Sequence, residues 1–174
     1  MALAGFTKSC SKNIAGNSTL YFTEASNISS ITVVDDEVTV ITMNTGEVFY
    51  EYEADTDSII RMEEGTGTRS NISYTHTIEA KFQKNSADLR TMRSAISDAS
   101  PCGIVAIVAG ADGVKWLVGF NEIELGERAL YLATDSFTSG ATPAEEGGNV
   151  VSVTLQTISG YTALPLDSLV SVPV

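Results

Sequence analysis

Between Ile72 and Phe82 the chain alternates without a break. Ile72, Tyr74, His76, Ile78, Ala80 and Phe82 share one phase, and Ser73, Thr75, Thr77, Glu79 and Lys81 share the other. A strand sends successive side chains to opposite faces, so this segment predicts a long strand with one buried and one solvated face. The same period appears earlier. Ile31 and Val33 alternate with Thr32, Asp35-Asp36 marks a turn, and Val38 and Val40 alternate with Thr39. Asn44-Thr45-Gly46 then reads as a hairpin loop, and Val48, Tyr50 and Tyr52 alternate with Glu47, Glu51 and Glu53. A meander of antiparallel strands is expected over this front half.

One segment carries a different period. Asn85-Ser86-Ala87-Asp88 supplies a capping side chain and an acid for the first turn of a helix, and Leu89, Met92, Ile96 and Ala99 recur at three and four residues. Pro101 and Gly103 end it. Gly103 to Val108, GIVAIV, is a β-branched run that predicts a strand buried on both faces. Asp112-Gly113 turns the chain into a hairpin partner with Val114, Trp116, Val118 and Phe120 in one phase. A strand is expected over roughly 128–134, and Val151, Val153 and Leu155 define another.

These elements predict a mainly β fold: an antiparallel β-sandwich or open barrel with one short flanking α-helix. Its 174 residues suit a single domain, 1–174. Within it, residues 1–18 read as an N-terminal arm, 53–70 and 135–148 as long loops, and 159–174 as a C-terminal arm, because each lacks a period. Ile59, Ile60 and Met62 stand among charges in the first loop and are candidates for covering by a partner or by the domain itself.

The chain carries 22 acids against 10 bases, a net charge of −12. That balance argues against a protein that grips nucleic acid through phosphates, which requires clustered Lys and Arg. No Lys or Arg follows Arg128. The longest apolar run, Gly103–Gly110, is too short to span a bilayer, and the first residues lack the basic-then-apolar order of a secretory signal, so synthesis in the cytoplasm and no membrane partner are expected.

No catalytic, cofactor-binding or metal site is expected, and no cofactor. Cys10 and Cys102 are distant and, with His76 as the sole histidine, fall short of a zinc ligand set; both read as free thiols. Asp55-Thr-Asp57 begins like a calcium loop, but Ile59 and Ile60 occupy its fifth and sixth positions. His76 lies on the apolar phase of its strand, as a core histidine does. Glu122/Glu124 and Glu145/Glu146 are sequence neighbours beside turns, not carboxylates facing across a cleft. As a base-stacking platform Tyr50, Tyr52, Tyr74 and Trp116 would need basic neighbours; Glu51 and Glu53 are the reverse, so packing in the core is expected. The chain therefore reads as a non-enzyme.

The segments HTIEAKFQKNSADLRTMRSAISDASPCGIVAIVAGADGVKWLVGF and YLATDSFTSGATPAEEGGNVVSVTLQTISGY resemble the tail tube and related tail structural proteins of bacteriophages. The shared layout is a helix, an IVAIV-like strand, a turn, a GVKWLVGF-like strand, a Ser/Thr/Gly-rich stretch and a VVSVTLQT-like strand, over roughly 71–161. The resemblance implies a virion structural subunit that self-associates into rings, typically hexamers, which stack into a tube around a channel for DNA. It implies contacts with other tail proteins and passage of DNA without specific binding, with long loops and terminal arms joining successive rings. Head–tail connectors, tail terminators and capsid decoration proteins are the alternatives within the virion, and a β-sandwich binding module the alternative outside it. In a tube, an acidic channel wall is the expectation, since carboxylates repel phosphate.

Overall fold

In a computed structural model the described residues are 16–54, 58–68, 71–83, 86–120, 128–139 and 149–174. They form β1 (Asn17–Glu24), β2 (Ile28–Val34), β3 (Glu37–Met43), β4 (Tyr50–Glu53), β5 (Ile59–Thr68), β6 (Asn71–Gln83), α1 (Ala87–Ala99), β7 (Ile104–Gly110), β8 (Lys115–Val118), β9 (Tyr131–Thr138), β10 (Val150–Ser159) and β11 (Leu164–Pro165). The protein is mainly β, antiparallel throughout its named strand pairs, with one short α-helix among the described residues.

A five-stranded sheet runs β11-β8-β7-β1-β4, a four-stranded sheet runs β5-β6-β10-β9, and β2 and β3 form a separate ribbon. β7 explains why the layers stack as they do. Its even residues Ile104, Ala106 and Val108 join the core that faces the four-stranded sheet and α1. Its odd residues Val105 and Ile107 join a second core, shared with Val38 of the ribbon, Phe49 and Leu166. The β-branched run is thus buried on both faces, as its composition predicts, because a layer lies on each side.

The helix follows its sequence signals. Ser86 is the N-cap, its Oγ accepting from Leu89 N at 3.2 Å, and Asp88 lies in the first turn. Met92 and Ile96 are buried, and Leu89 and Ala99 pack against the same core. The turns at Asp35-Asp36 and Asp112-Gly113 also form. Asp35 and Asp36 adopt φ of 52° and 64°, the left-handed pair that a tight hairpin requires.

Five expectations are corrected. The 53–70 loop contains strand β5, paired with β6 in register from Ile59↔Ala80 to Thr68↔Asn71. Its period is hidden because the inward phase holds Ile59, Arg61 and Glu63 and the outward phase Ile60, Met62 and Glu64, so neither phase is wholly apolar. The glycine at 65 is tolerated because the Tyr74 ring covers it; an added Cβ would sit 3.1 Å from that ring. The loop expected at 135–148 begins later, since β9 runs to Thr138; residues 140–148 lie outside the described residues.

The C-terminal arm is not free. Leu164 and Pro165 pair with β8, Leu166 bridges to Val38, Phe49 N donates to Pro173 O at 2.8 Å, and Val170 and Val172 pack on the second core. The N-terminal arm ends at β1, which begins at Asn17; residues 1–15 lie outside the described residues. Finally, the front half is no simple meander. β3 pairs with β2, and β4 pairs with β1. The turn at Asn44–Glu47 closes with a 3.0 Å hydrogen bond, but Phe49 then enters the second core and carries the chain to the other sheet.

Candidate interaction surfaces

At one end of the sandwich, polar side chains take over the inward phase. Arg61 lies opposite Ile78, Glu63 opposite His76, and His76 opposite Thr157. The His76 Nε2 lies 2.9 Å from Tyr161 O. A carbonyl oxygen only accepts, so Nε2 is the donor. The Nδ1 atom lies 3.4 Å from Glu63 Oε2, outside hydrogen-bond geometry. Glu63 Oε2 accepts instead from Ala163 N at 3.0 Å and Arg61 Nη1 at 3.3 Å. The Arg61 guanidinium covers the Trp116 ring at 4.4 Å, a cation–π contact.

A buried histidine beside a carboxylate invites comparison with a catalytic dyad. Among the described residues the adjoining cavity is about 10 Å³, lined by His76, Thr157, Ser159 and Tyr161 among others. That is room for about one water, whereas small-molecule sites run to about 300–1,000 Å³. The cluster has a structural role. It ties Tyr161 and Ala163, where the chain leaves β10, to β5 and β6.

Trp116 is half-buried rather than fully enclosed, and the tyrosines are likewise at the margins. Tyr50 is 57% exposed, Tyr74 is half-buried, and Tyr52 is half-buried against Phe22 with ring centroids 5.6 Å apart. Core packing, expected of all four, holds only in part. Burial pushes the Tyr52 phenol up, with a further contribution from Tyr50. Tyr21 is also raised, by burial first and then by its hydrogen bond to Glu51.

Three surfaces remain open. The first is the outward face of the four-stranded sheet. Register places Thr66, Ser73, Thr75, Thr77, Ser152, Thr154, Ser136 and Gln156 on it, with apolar Ile60, Met62 and Ile158 and the charges Glu64, Glu79 and Lys81. Lys81 Nζ pairs with Glu79 Oε1 at 3.3 Å. The second surface is the pair of edges of that sheet, β5 and β9. Ends of both are tied to the body: Asn17 Nδ2 donates to Ile59 O at 3.0 Å, and Leu132 N to Ser100 Oγ at 2.8 Å.

The third surface is a cleft of about 280 Å³ between α1 and the β1–β4 margin of the other sheet. Phe22, Ile96 and Ile104 are buried at its base, Tyr50 stands at its mouth, and Glu24 and Glu47 line it. Among the described residues no lysine or arginine lines it.

Of the other residues singled out in the sequence, Cys102 is exposed with a free thiol, while Cys10, Asp55, Asp57, Glu122, Glu124, Glu145 and Glu146 lie outside the described residues. Among the described residues no three His, Cys, Asp or Glu side chains gather as a metal site, and no helix is long and apolar enough to cross a membrane. The open sheet edges and the cleft were missed from sequence, since edges depend on strand order rather than on local pattern. Compared with known proteins, the chain matches no family model, no curated protein and no solved structure.

Proposed function

We propose that the protein is a structural subunit of a tail-tube-like assembly, in which copies close into rings and rings stack around a channel for DNA. The observation that carries this reading is the four-stranded sheet, whose two edge strands pair with no further strand among the described residues. β5 and β9 contain ten and eight residues, and neither has a proline or a lysine to discourage pairing. Inward-pointing Arg61, Glu63 and Asp135 and the ties at Ile59 and Leu132 guard parts of these edges; the remainder suits lateral association with further copies, and a closed ring would pair it.

The outward face of that sheet suits a channel wall. Among its described residues it presents two acids against one base, and that base is paired with one of the acids. Hydroxyl and amide groups fill most of the rest. Such a wall offers phosphate no cationic cluster to release counterions. The sequence resemblance to tail tube proteins points the same way.

The test is electron microscopy of the purified full chain over a concentration series, with duplex DNA binding measured at physiological salt. Annular or tubular particles with an open centre and no DNA retention are expected. Rings that do not stack would favour a connector, and persistent monomers a solitary binding module.

A further inference from the structure

We infer that His76 and Glu63 form a proton-operated latch, in which a proton taken up at His76 Nδ1 fastens the segment after β10 to the body of the fold. The latch is built within one copy and does not rest on the assembly reading above.

The first argument is an unsatisfied atom. The His76 side chain is 5% exposed, and its Nδ1 is buried with no hydrogen-bond partner. Buried polar atoms are ordinarily paired, so this one calls for an explanation. Because Nε2 donates to Tyr161 O, Nδ1 of the neutral ring holds a lone pair. It faces Glu63 Oε2, a second acceptor, at 3.4 Å. A proton from solvent added at Nδ1 gives the imidazolium, which donates from both nitrogens, to Tyr161 O and to Glu63. The carboxylate has room for that donor: it offers about four acceptor sites, and its described donors are Ala163 N and Arg61 Nη1. The new contact should close to about 2.8 Å, as charge-assisted N–H···O bonds do.

The second argument is the set of groups around the ring. β5 presents Arg61 and Glu63, and Arg61 is already engaged by Glu63 and the Trp116 ring of β8. β10 presents Thr157, whose hydroxyl donates to Arg128 O, and Arg128 lines the adjoining cavity. On β6 the flanking residues of the same phase are Tyr74 and Ile78. Glu64, Glu79 and Lys81 belong to the outward phase. Glu63 is therefore the anion that meets the ring among the described residues, and it does so at the unpaired nitrogen.

The sign follows from the docked segment itself. With Tyr161 withdrawn, a neutral ring can carry its proton on Nδ1 and donate to Glu63. Docking Tyr161 O calls that proton to Nε2 and sets two acceptors face to face. The imidazolium removes the conflict, so docking favours proton uptake, and the state that binds the proton gains as pH falls. The fastening is present below the imidazole range, ordinarily about 6.5, and lost as pH rises through it. It acts at the root of a segment whose Leu164 and Pro165 pair with β8 and whose Leu166 bridges to Val38 in the second core.

His76 is the sole histidine, so one ring reports the latch in the full-length chain. Nitrogen-15 NMR of the ring is recorded between about pH 5.5 and 8, above the ordinary carboxyl range of about 4.3. Amide exchange is measured on the same samples and corrected for the intrinsic effect of pH. A neutral ring protonated on Nε2 is expected at the upper limit, and an imidazolium at the lower. Protection of the Ala163 amide should rise about tenfold in step with the ring, the scale of one hydrogen bond, while Ile107 stays constant. In Glu63→Gln the side-chain amide can donate to the neutral Nδ1, so the pH dependence at Ala163 should vanish, with Ile107 protection reporting that the fold is kept. A native ring that stays neutral at the lower limit overturns the latch. So does a ring that charges while Ala163 protection stays level or falls, and so does a pH dependence that persists in Glu63→Gln.

Discussion

Arg93 grips Asp135 with two nitrogens: Nε lies 2.7 Å from Oδ1 and Nη2 2.9 Å from Oδ2. The pair fastens α1 to β9, the strand that carries one open edge of the four-stranded sheet. Side-chain exposures of 24% and 26% place it between surface and core. A double-mutant cycle of Arg93→Ala and Asp135→Ala should give a coupling of about 1 kcal/mol, above the usual exposed pair because the contact is bidentate. Chemical denaturation at low and high salt measures it, and additive effects would show that the helix holds the edge by apolar packing alone.

Core substitutions should rank by burial rather than by residue size. Ile107 is fully buried between two layers, so Ile107→Ala should cost about 2–5 kcal/mol. Trp116 is half-buried beneath Arg61, so Trp116→Ala should cost about 1–3 kcal/mol. Denaturation midpoints test the order, and a larger loss at Trp116 would contradict it.

The strands with one apolar phase were legible in the sequence because each has a single solvated face. β6, β10 and α1 fall where the periods place them, and β7, solvated on neither face, falls where its β-branched run places it. β5 was not legible, because its inward Arg61 and Glu63 serve buried His76 and Trp116, and burial through ion pairing leaves no hydrophobic period. A signal was nevertheless present: a histidine on an apolar phase needs polar partners, and Glu63 supplies a facing carboxylate. The C-terminal segment escaped for another reason. It binds through scattered bridges and a few inserted side chains, which impose no period on a stretch containing Pro165 and Pro173.

Alkaline pH should loosen the β4 margin. The folded state raises the Tyr52 phenol above its ordinary value of 10.0, mainly by burial. The neutral phenol is therefore favoured in the fold. Its contribution is fully present below pH 10 and is lost as the pH rises through the higher folded value. Tyr52→Phe should retain more stability than the native chain well above pH 10 and differ little in its pH dependence below it. Unfolding curves on both sides of that value check the sign, and parallel losses in the two proteins would refute it.

The polar cluster should act as a clamp on the C-terminal segment. Glu63→Gln keeps the shape but weakens acceptance from Ala163 N and Arg61, so amide exchange at Ala163 should accelerate while that of Ile107 in the core stays slow. Unchanged exchange at Ala163 would show that the segment is held by β11 and Leu166 without the cluster.

The central claim is that the open edges β5 and β9 pair between copies to build a ring. Amide exchange along Asp135–Thr138 and Glu64–Thr68, compared between dilute and concentrated full-length protein with microscopy of each sample, tests it most directly. The account predicts that protection at both edges rises together as annular particles appear. Particles that form while both edges exchange as freely as in the dilute chain would contradict it.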